Sequence, residues 1–127
     1  MPQPVNEMAR RTLVDWALAL RRVGGDRALL RELVQIMIAE LPGWLRDLGQ
    51  AVVREQGTEI RRLAHTIKGA LGQIGALAAQ EKALGLETLG KDNNLTGTPR
   101  AWRELEQEIE CLQPLLAEFL GNTGSKA

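Results

Sequence analysis

The sequence predicts an all-α protein folded as an antiparallel bundle, and three observations support this prediction. Apolar residues recur every three or four positions through most of the chain, the spacing that places them on one face of a helix. No stretch alternates apolar and polar residues in the way that a half-buried strand does. The segments between the predicted helices are short, so consecutive helices are expected to run antiparallel.

The two ends of the chain differ in character from its middle. Residues 1–12 and 121–127 are polar or small, so we expect both segments to be flexible. A chain of 127 residues suffices for one domain with its own core. We therefore predict a single helical bundle between these ends, over residues 13–120.

The first two predicted helices each begin at an aspartate. Asp15 is a good N-cap for a short helix that ends at the glycines 24–25, and Asp26 caps the helix that follows. This second helix has apolar residues at helical spacing on both sides of Pro42. Because proline removes a backbone hydrogen bond from a helix, we predict a kink or a break near Pro42.

Three further helices are predicted after the second. The third covers roughly 58–74, the fourth about 76–90, and residues 91–97 form a polar loop. Thr98 is followed by a proline, which gives the last helix an N-cap and a proline at its first position. Pro114 lies inside that helix and predicts a bend.

Composition and charge exclude several classes of function. Sixteen basic side chains balance sixteen acidic ones, so no overall field attracts nucleic acid or an anionic membrane. The single cysteine excludes an internal disulfide and a multi-cysteine metal site. No apolar run approaches the roughly 20 residues of a membrane span, and the start of the chain lacks the layout of a secretory signal. We therefore expect a cytoplasmic protein.

The only histidine of the chain lies on the outer face of the third predicted helix. The apolar residues of that helix fall in one arc, which must be the buried face: Ile60, Leu63, Ala64, Ile67, Leu71 and Ile74. His65 lies about 150° from the centre of this arc. Its neighbours on the outer face are Arg61, Lys68, Gly69 and Gly72. The histidine is therefore followed by the positively charged Lys68 and by two residues without side chains.

The two glycines of this helix have a cost that packing does not explain. A glycine inside a helix is less stable than alanine by roughly 0.8–1 kcal/mol. The helical pattern places Gly69 and Gly72 on the exposed side, where no core packing requires them. Close approach by another molecule would require them. On position alone, however, an ordinary surface histidine on a solvated basic face is the favoured interpretation of His65, because isolated exposed histidines are common.

The order of residues around the histidine is more specific. The segment 63–76, with His65 followed by lysine at the third position and glycine at the fourth, resembles the signature of histidine-containing phosphotransfer (HPt) domains. Ile74-Gly75 closes the helix as in that family. The flanks agree: Gly25-Asp26 opens a Gly-Asp-x-x-Leu-Leu entry to the first long helix, and 86–89 closes the next helix. The likeness covers about residues 14–120.

The resemblance implies a fold, a function and partners. The fold is an antiparallel four-helix bundle with a short N-terminal helix. His65 would accept a phosphoryl group from the aspartate of a response-regulator receiver domain and pass it to another receiver. The resemblance implies no cofactor or metal on this chain, since Mg²⁺ would be held by the receiver, and no autokinase activity. We expect a monomer whose partners are receivers, with a hybrid sensor kinase as a further candidate partner.

The neighbours of His65 suit this chemistry. A neutral imidazole is a nucleophile near neutral pH, and the Lys68 ammonium would attract the phosphoryl oxygens. Gly69 leaves room for the phosphoryl group and the docking receiver. By resemblance, Glu87 on the next helix would hold the Nδ1 proton of the histidine and leave Nε2 to attack. Lys91, one turn later, could add positive potential. A solvated helix end is the alternative for both of these residues.

Two other classes of function are alternatives to a phosphocarrier. A helical domain that docks a receiver or a kinase without carrying phosphate is the alternative, although such a domain would not need the intact His65-Lys68-Gly69 set. An enzyme is the weaker alternative: the sequence lacks a second histidine, a cysteine pair and a Gly-rich phosphate loop, so catalytic triads, zinc hydrolysis and ATP binding lack their parts. The partner receivers, the direction of phosphate flow and the upstream signal do not follow from the sequence. Nor does it show whether the chain stands alone or belongs to a hybrid kinase.

Overall fold

The computed structural model describes residues 13–124, which contain five α-helices and no strand. The helices are α1 (Trp16–Arg22), α2 (Arg27–Val53), α3 (Gly57–Gln73), α4 (Leu77–Lys91) and α5 (Thr98–Gly124). A short 3₁₀ turn, Leu95–Gly97, precedes α5. The all-α prediction is confirmed. Residues 1–12 and 125–127, expected to be flexible, lie outside the described residues. Helix α5 runs four residues past the bundle boundary expected at 120.

Both predicted aspartate caps are present. A carboxylate oxygen of Asp15 accepts from the backbone N–H of Leu18 at 3.0 Å. Asp26 accepts from the N–H of Leu29 at the same distance. Each carboxylate thereby satisfies one of the N–H groups that the first turn of a helix leaves unpaired. The sequence therefore fixes where α1 and α2 begin.

Helix α2 continues through Pro42, so the chain has a continuous helix where the sequence predicted a kink or a break. Proline removes one N–H from the ladder, but the helix is held on both sides of that position by side chains of the core. Leu41 and Leu48 are fully buried. Packing of this continuous apolar stripe outweighs the loss of one backbone hydrogen bond. Helix α5 likewise runs on through Pro114.

The four long helices pack in a closed ring, in which α2 contacts α3, α3 contacts α4, α4 contacts α5, and α5 contacts α2. Contacts between α2 and α5 fix their antiparallel direction. Arg31 near the start of α2 donates to the carbonyl of Leu120, and Trp102 near the start of α5 donates to that of Leu45 at 2.9 Å. The largest fully buried side chains fill the centre: Leu30, Leu41, Leu48, Ile60, Ile67, Leu71, Ile74, Leu86, Leu105, Ile109, Leu112 and Leu116.

The short helix α1 covers one end of the bundle. Trp16 stacks on Phe119 of α5 with ring centroids 4.3 Å apart and an interplanar angle of 10°. The N–H of Asp15 donates to the carbonyl of Gly75 at 2.8 Å. Gly75 has a φ of +75°, and a Cβ built on it would run into the backbone of Asp15, so a side chain there would be strained and would clash. The turn between α3 and α4 is thereby tied to the start of α1.

None of the helices in the described part of the chain is long and apolar enough to cross a membrane.

Candidate functional site

His65 lies midway along α3 on its solvent-facing side. Its side chain is 65% exposed, whereas Ala64 and Ile67 on the same helix are fully buried. The helical spacing that buries the apolar arc thus turns the imidazole outward, as the sequence predicted. The ring is open to a second macromolecule.

Glu87 of α4 holds one nitrogen of the imidazole. His65 Nδ1 lies 2.8 Å from Glu87 Oε2, within hydrogen-bond distance. Because an ionised carboxylate only accepts, the imidazole Nδ1 carries the proton in this contact, and the lone pair of the neutral ring is then on Nε2. The sequence predicted this contact by resemblance, and the structure brings the two residues together.

The same carboxylate also holds Lys68. Lys68 Nζ lies 2.7 Å from Glu87 Oε1. This contact between an ammonium group and a carboxylate is a short ion pair. One carboxylate therefore bridges the histidine and the lysine. The sequence placed Lys68 one turn from His65 but did not predict its pairing with Glu87, because that pairing depends on how α3 and α4 are aligned.

The environment of Glu87 keeps it ionised. Its side chain is only 16% exposed, and this burial by itself raises the pKa of the carboxyl. The neighbouring Lys68 and His65 together outweigh burial, so the pKa of Glu87 lies below its ordinary value. A negative charge is therefore present beside both side chains at neutral pH.

The two glycines of the motif have different surroundings. Gly69 is exposed, and a Cβ built on it would meet nothing within 4 Å. Gly72 is buried, which corrects the prediction that it lies on the exposed side. A Cβ there would run into the side-chain amide of Gln80 on α4. The helical pattern correctly predicted that Gly72 points away from the core. On that side, however, the side chain of Gln80 covers it.

The carbonyl of Gly72 also has a partner from α1, since the Arg22 guanidinium donates to it. Gly72 therefore lies at a contact among three helices, where α3 and α4 pack closely. It is a packing residue and not part of the space open to a partner.

Lys91 is the last residue of α4 and is exposed. It lies one helical turn beyond Glu87, the position expected from the sequence.

The family model for the Hpt domain matches residues 32–114, which include His65, Lys68, Gly69 and Glu87. The chain belongs to the Hpt family. Among solved structures, the chain is similar to histidine-containing phosphotransfer protein B (HptB) from Pseudomonas aeruginosa PAO1. That likeness has a TM-score of 0.77 at 19% sequence identity, and it covers 84% of this chain and 92% of that one. The comparison with curated proteins gave no match.

Hpt proteins are phosphocarriers rather than catalytic enzymes, and the surface position of His65 suits that class. One groove of the Hpt bundle lies elsewhere, between α2 and α5. It has a volume of about 1220 Å³, and its lining includes Leu45, Val53, Trp102 and Ile109 but neither His65 nor Glu87. Within residues 13–124, no three His, Cys, Asp or Glu side chains cluster as a metal site would require.

Proposed function

We propose that this Hpt domain carries a phosphoryl group on Nε2 of His65, received from a receiver aspartate and passed to a second receiver. The observation that carries the proposal is the Glu87 carboxylate, which contacts both His65 Nδ1 and Lys68 Nζ. It supports a histidine that is fixed in direction and in tautomer before any partner arrives.

The transfer step follows from this arrangement. The Nε2 lone pair of the neutral imidazole attacks phosphorus, and the bond between phosphorus and the aspartyl oxygen breaks, with its electron pair remaining on the aspartate. The ring keeps its Nδ1 proton and becomes positively charged. The Glu87 carboxylate, 2.8 Å from Nδ1, stabilises that charge as it forms. Return of the phosphoryl group to a receiver reverses each change.

Lys68 supplies the cation for the phosphoryl oxygens. Its ammonium group is held by Glu87 one helical turn from the histidine, and its side chain is 25% exposed. Phosphoryl transfer depends mainly on positioning and charge stabilisation, so one placed cation has a direct effect on the rate. Glu87 acts through His65 and Lys68 and is therefore a positioning residue.

Gly69 provides the space in which the phosphoryl group and the receiver approach. Mg²⁺ belongs to the receiver, and this chain takes no phosphate from ATP by itself. The protein acts as a monomer in the cytoplasm with receiver domains as partners, and a hybrid sensor kinase is a further candidate partner.

Labelling from phosphorylated receivers tests the proposal. Wild-type protein mixed with a panel of phosphorylated receivers should gain one acid-labile phosphoryl group from at least one of them, and none from ATP alone. His65→Gln should gain none while its helical circular dichroism is unchanged, because the side chain is largely exposed. Thr66→Gln is the matched control, since Thr66 is exposed on the next position of α3 and should still be labelled.

The alternative outcomes are separable. Labelling of His65→Gln would contradict the proposal. Binding of a receiver to the wild-type protein without any transfer would favour the docking domain that carries no phosphate.

A further inference from the structure

The groove between α2 and α5 lies on the opposite side of the bundle from His65. The four long helices contact one another around a ring in the order α2, α3, α4, α5, and the contact between His65 and Glu87 joins α3 to α4. The groove is lined from Pro42 to Arg54 at the end of α2 and by the first two thirds of α5. A partner bound in this α2–α5 groove therefore leaves the histidine open to a second protein.

Trp102 forms a fixed apolar floor in the α2–α5 groove. Its indole Nε1 donates to the carbonyl of Leu45 at 2.9 Å, so the one polar group of the ring is already paired within the bundle. Gly49 lets the ring lie against α2, since a Cβ on Gly49 would be only 3.0 Å from it. Trp102 is half-buried, and Val53 in the same lining is 82% exposed. An aromatic ring that is already held in place gives a partner apolar contact at a low cost in side-chain entropy.

The dimensions of the α2–α5 groove suit a helix. From Pro42 to Arg54 the groove follows about 18 Å of helix axis, the length of a helix of about 12 residues. Its volume of about 1220 Å³ exceeds the roughly 300–1,000 Å³ of most small-molecule pockets. Both walls are helices, so they offer no strand edge to an extended peptide, whereas apolar residues at every third or fourth position of a helix would meet the floor.

The charged side chains of the lining are divided between the two ends of the groove. Arg46 lies on α2, Arg54 directly after it, and Arg103 near the start of α5. Because α2 and α5 are antiparallel, these three arginines lie toward the same end. Glu106 and Glu110 follow on α5, toward the other end. The groove is therefore positive at one end and negative at the other.

These five charges are available to a partner. Among the described side chains, none of the five forms an ion pair with another residue of the bundle. Four of them are exposed and Glu106 is half-buried. Covering the apolar floor would favour binding, and opposite charges on the partner would fix its direction in the groove.

We propose that the α2–α5 groove binds an amphipathic helix of a partner protein, with acidic residues in its first turns and basic residues in its last turns. Helices favour this order of charges because it complements the helix macrodipole. The acidic end would lie against the arginines and the basic end against the glutamates, so the bound helix runs antiparallel to α2. Its apolar face covers Trp102 and Val53. The partner stays attached while His65, on the opposite side, remains accessible.

Titration with a designed peptide tests this proposal. The probe is a fluorescently labelled synthetic helix of about 14 residues, with leucine at every third or fourth position, glutamates in its first two turns and lysines in its last two. The wild-type protein should bind it, and binding should shift the indole N–H signal of Trp102 but not that of Trp16 on α1. A peptide of the same composition with its leucines spread around the helix should bind at least about tenfold more weakly.

Two pairs of variants test the floor and the charges separately. Val53→Asp should raise the dissociation constant of the peptide at least about tenfold, because it places a charge on the apolar floor. Leu84→Asp is the matched control, since Leu84 is 46% exposed on α4 and outside the lining, and it should bind the peptide as the wild-type protein does. Arg54→Glu should weaken binding about threefold at low salt and less at high salt, whereas Arg61→Glu on α3 should not.

Several outcomes would overturn the proposal. These are no binding by the wild-type protein, equal binding of the two peptides, or unchanged binding by Val53→Asp. If sedimentation velocity shows a wild-type dimer that Val53→Asp converts to a monomer, a second copy of the chain occupies the groove instead. Thermal melts show that each variant is folded, and the binding measurements use no phosphate, so their result does not depend on whether His65 is labelled.

Discussion

Two successive turns of α3 show how one helix separates function from packing. The turn around Gly69 is open, with no atom near the position of a missing Cβ. The turn around Gly72, three residues on, is closed by Gln80 of α4 and by the Arg22 guanidinium from α1. Both glycines have the same intrinsic cost in a helix. The first keeps space for a partner, and the second lets two helices pack closely.

The largest effect is expected at the open turn. Gly69→Gln should slow receiver-dependent transfer on the order of a hundredfold, because the new side chain projects into the approach to His65 and displaces the reacting groups. Its free energy of unfolding should be unchanged or higher by up to about 1 kcal/mol, since glutamine is the better helix former. Labelling rates and thermal melts on the same samples measure both. Unfolding of this variant would show that Gly69 is also a packing residue.

The closed turn should respond in the opposite way. Gly72→Leu should lower the free energy of unfolding by about 1–3 kcal/mol, because a large side chain does not fit under Gln80. Transfer by the protein that remains folded at low temperature should be close to normal, since residue 72 does not line the approach to His65. Chemical denaturation and labelling at that temperature test this prediction. A stable variant with poor transfer would make the two turns functionally alike.

A smaller effect isolates the contact with Gln80. Gly72→Ala should change the free energy of unfolding by less than about 1 kcal/mol, because the atom it meets is the flexible end of a side chain and alanine favours the helix. Adding Gln80→Ala should remove the clash, so the double variant should be more stable than the sum of its single changes predicts. A double-mutant cycle gives this coupling. Simple additivity would mean that Gln80 does not close the turn.

The sequence alone predicted the open turn well and the closed turn poorly. Its period of 3.6 residues turned His65, Lys68 and Gly69 outward, and the aspartate caps fixed where α1 and α2 begin. Direction away from the core is a local property of one helix. Whether that direction meets solvent depends on the neighbouring helix, so Gln80 over Gly72 could not be predicted. The joint contact of Glu87 with His65 and Lys68 has the same origin, since it requires the alignment of α3 with α4.

The smallest expected effect is the dependence of stability on pH at the open turn. Neighbouring charges lower the pKa of Glu87 in the folded protein. Its ionised form therefore stabilises the fold above the unfolded pKa of the carboxyl, and this contribution is lost as pH falls through the folded pKa. Glu87→Gln should thus lose less stability than the wild-type protein on acidification below about pH 4.5. Parallel acid titrations of both proteins by circular dichroism would reveal the difference, and coincident curves would contradict it.

NMR spectroscopy can identify the imidazole nitrogen that bears the phosphoryl group. The chain has one histidine, so the imidazole signals of ¹⁵N-labelled protein belong to His65 alone. Long-range proton–nitrogen correlation NMR should show the proton on Nδ1 before transfer, and coupling between phosphorus and Nε2 after incubation with a phosphorylated receiver. Phosphorus on Nδ1, or an imidazole that stays unmodified while another residue is labelled, would contradict transfer to Nε2 of His65.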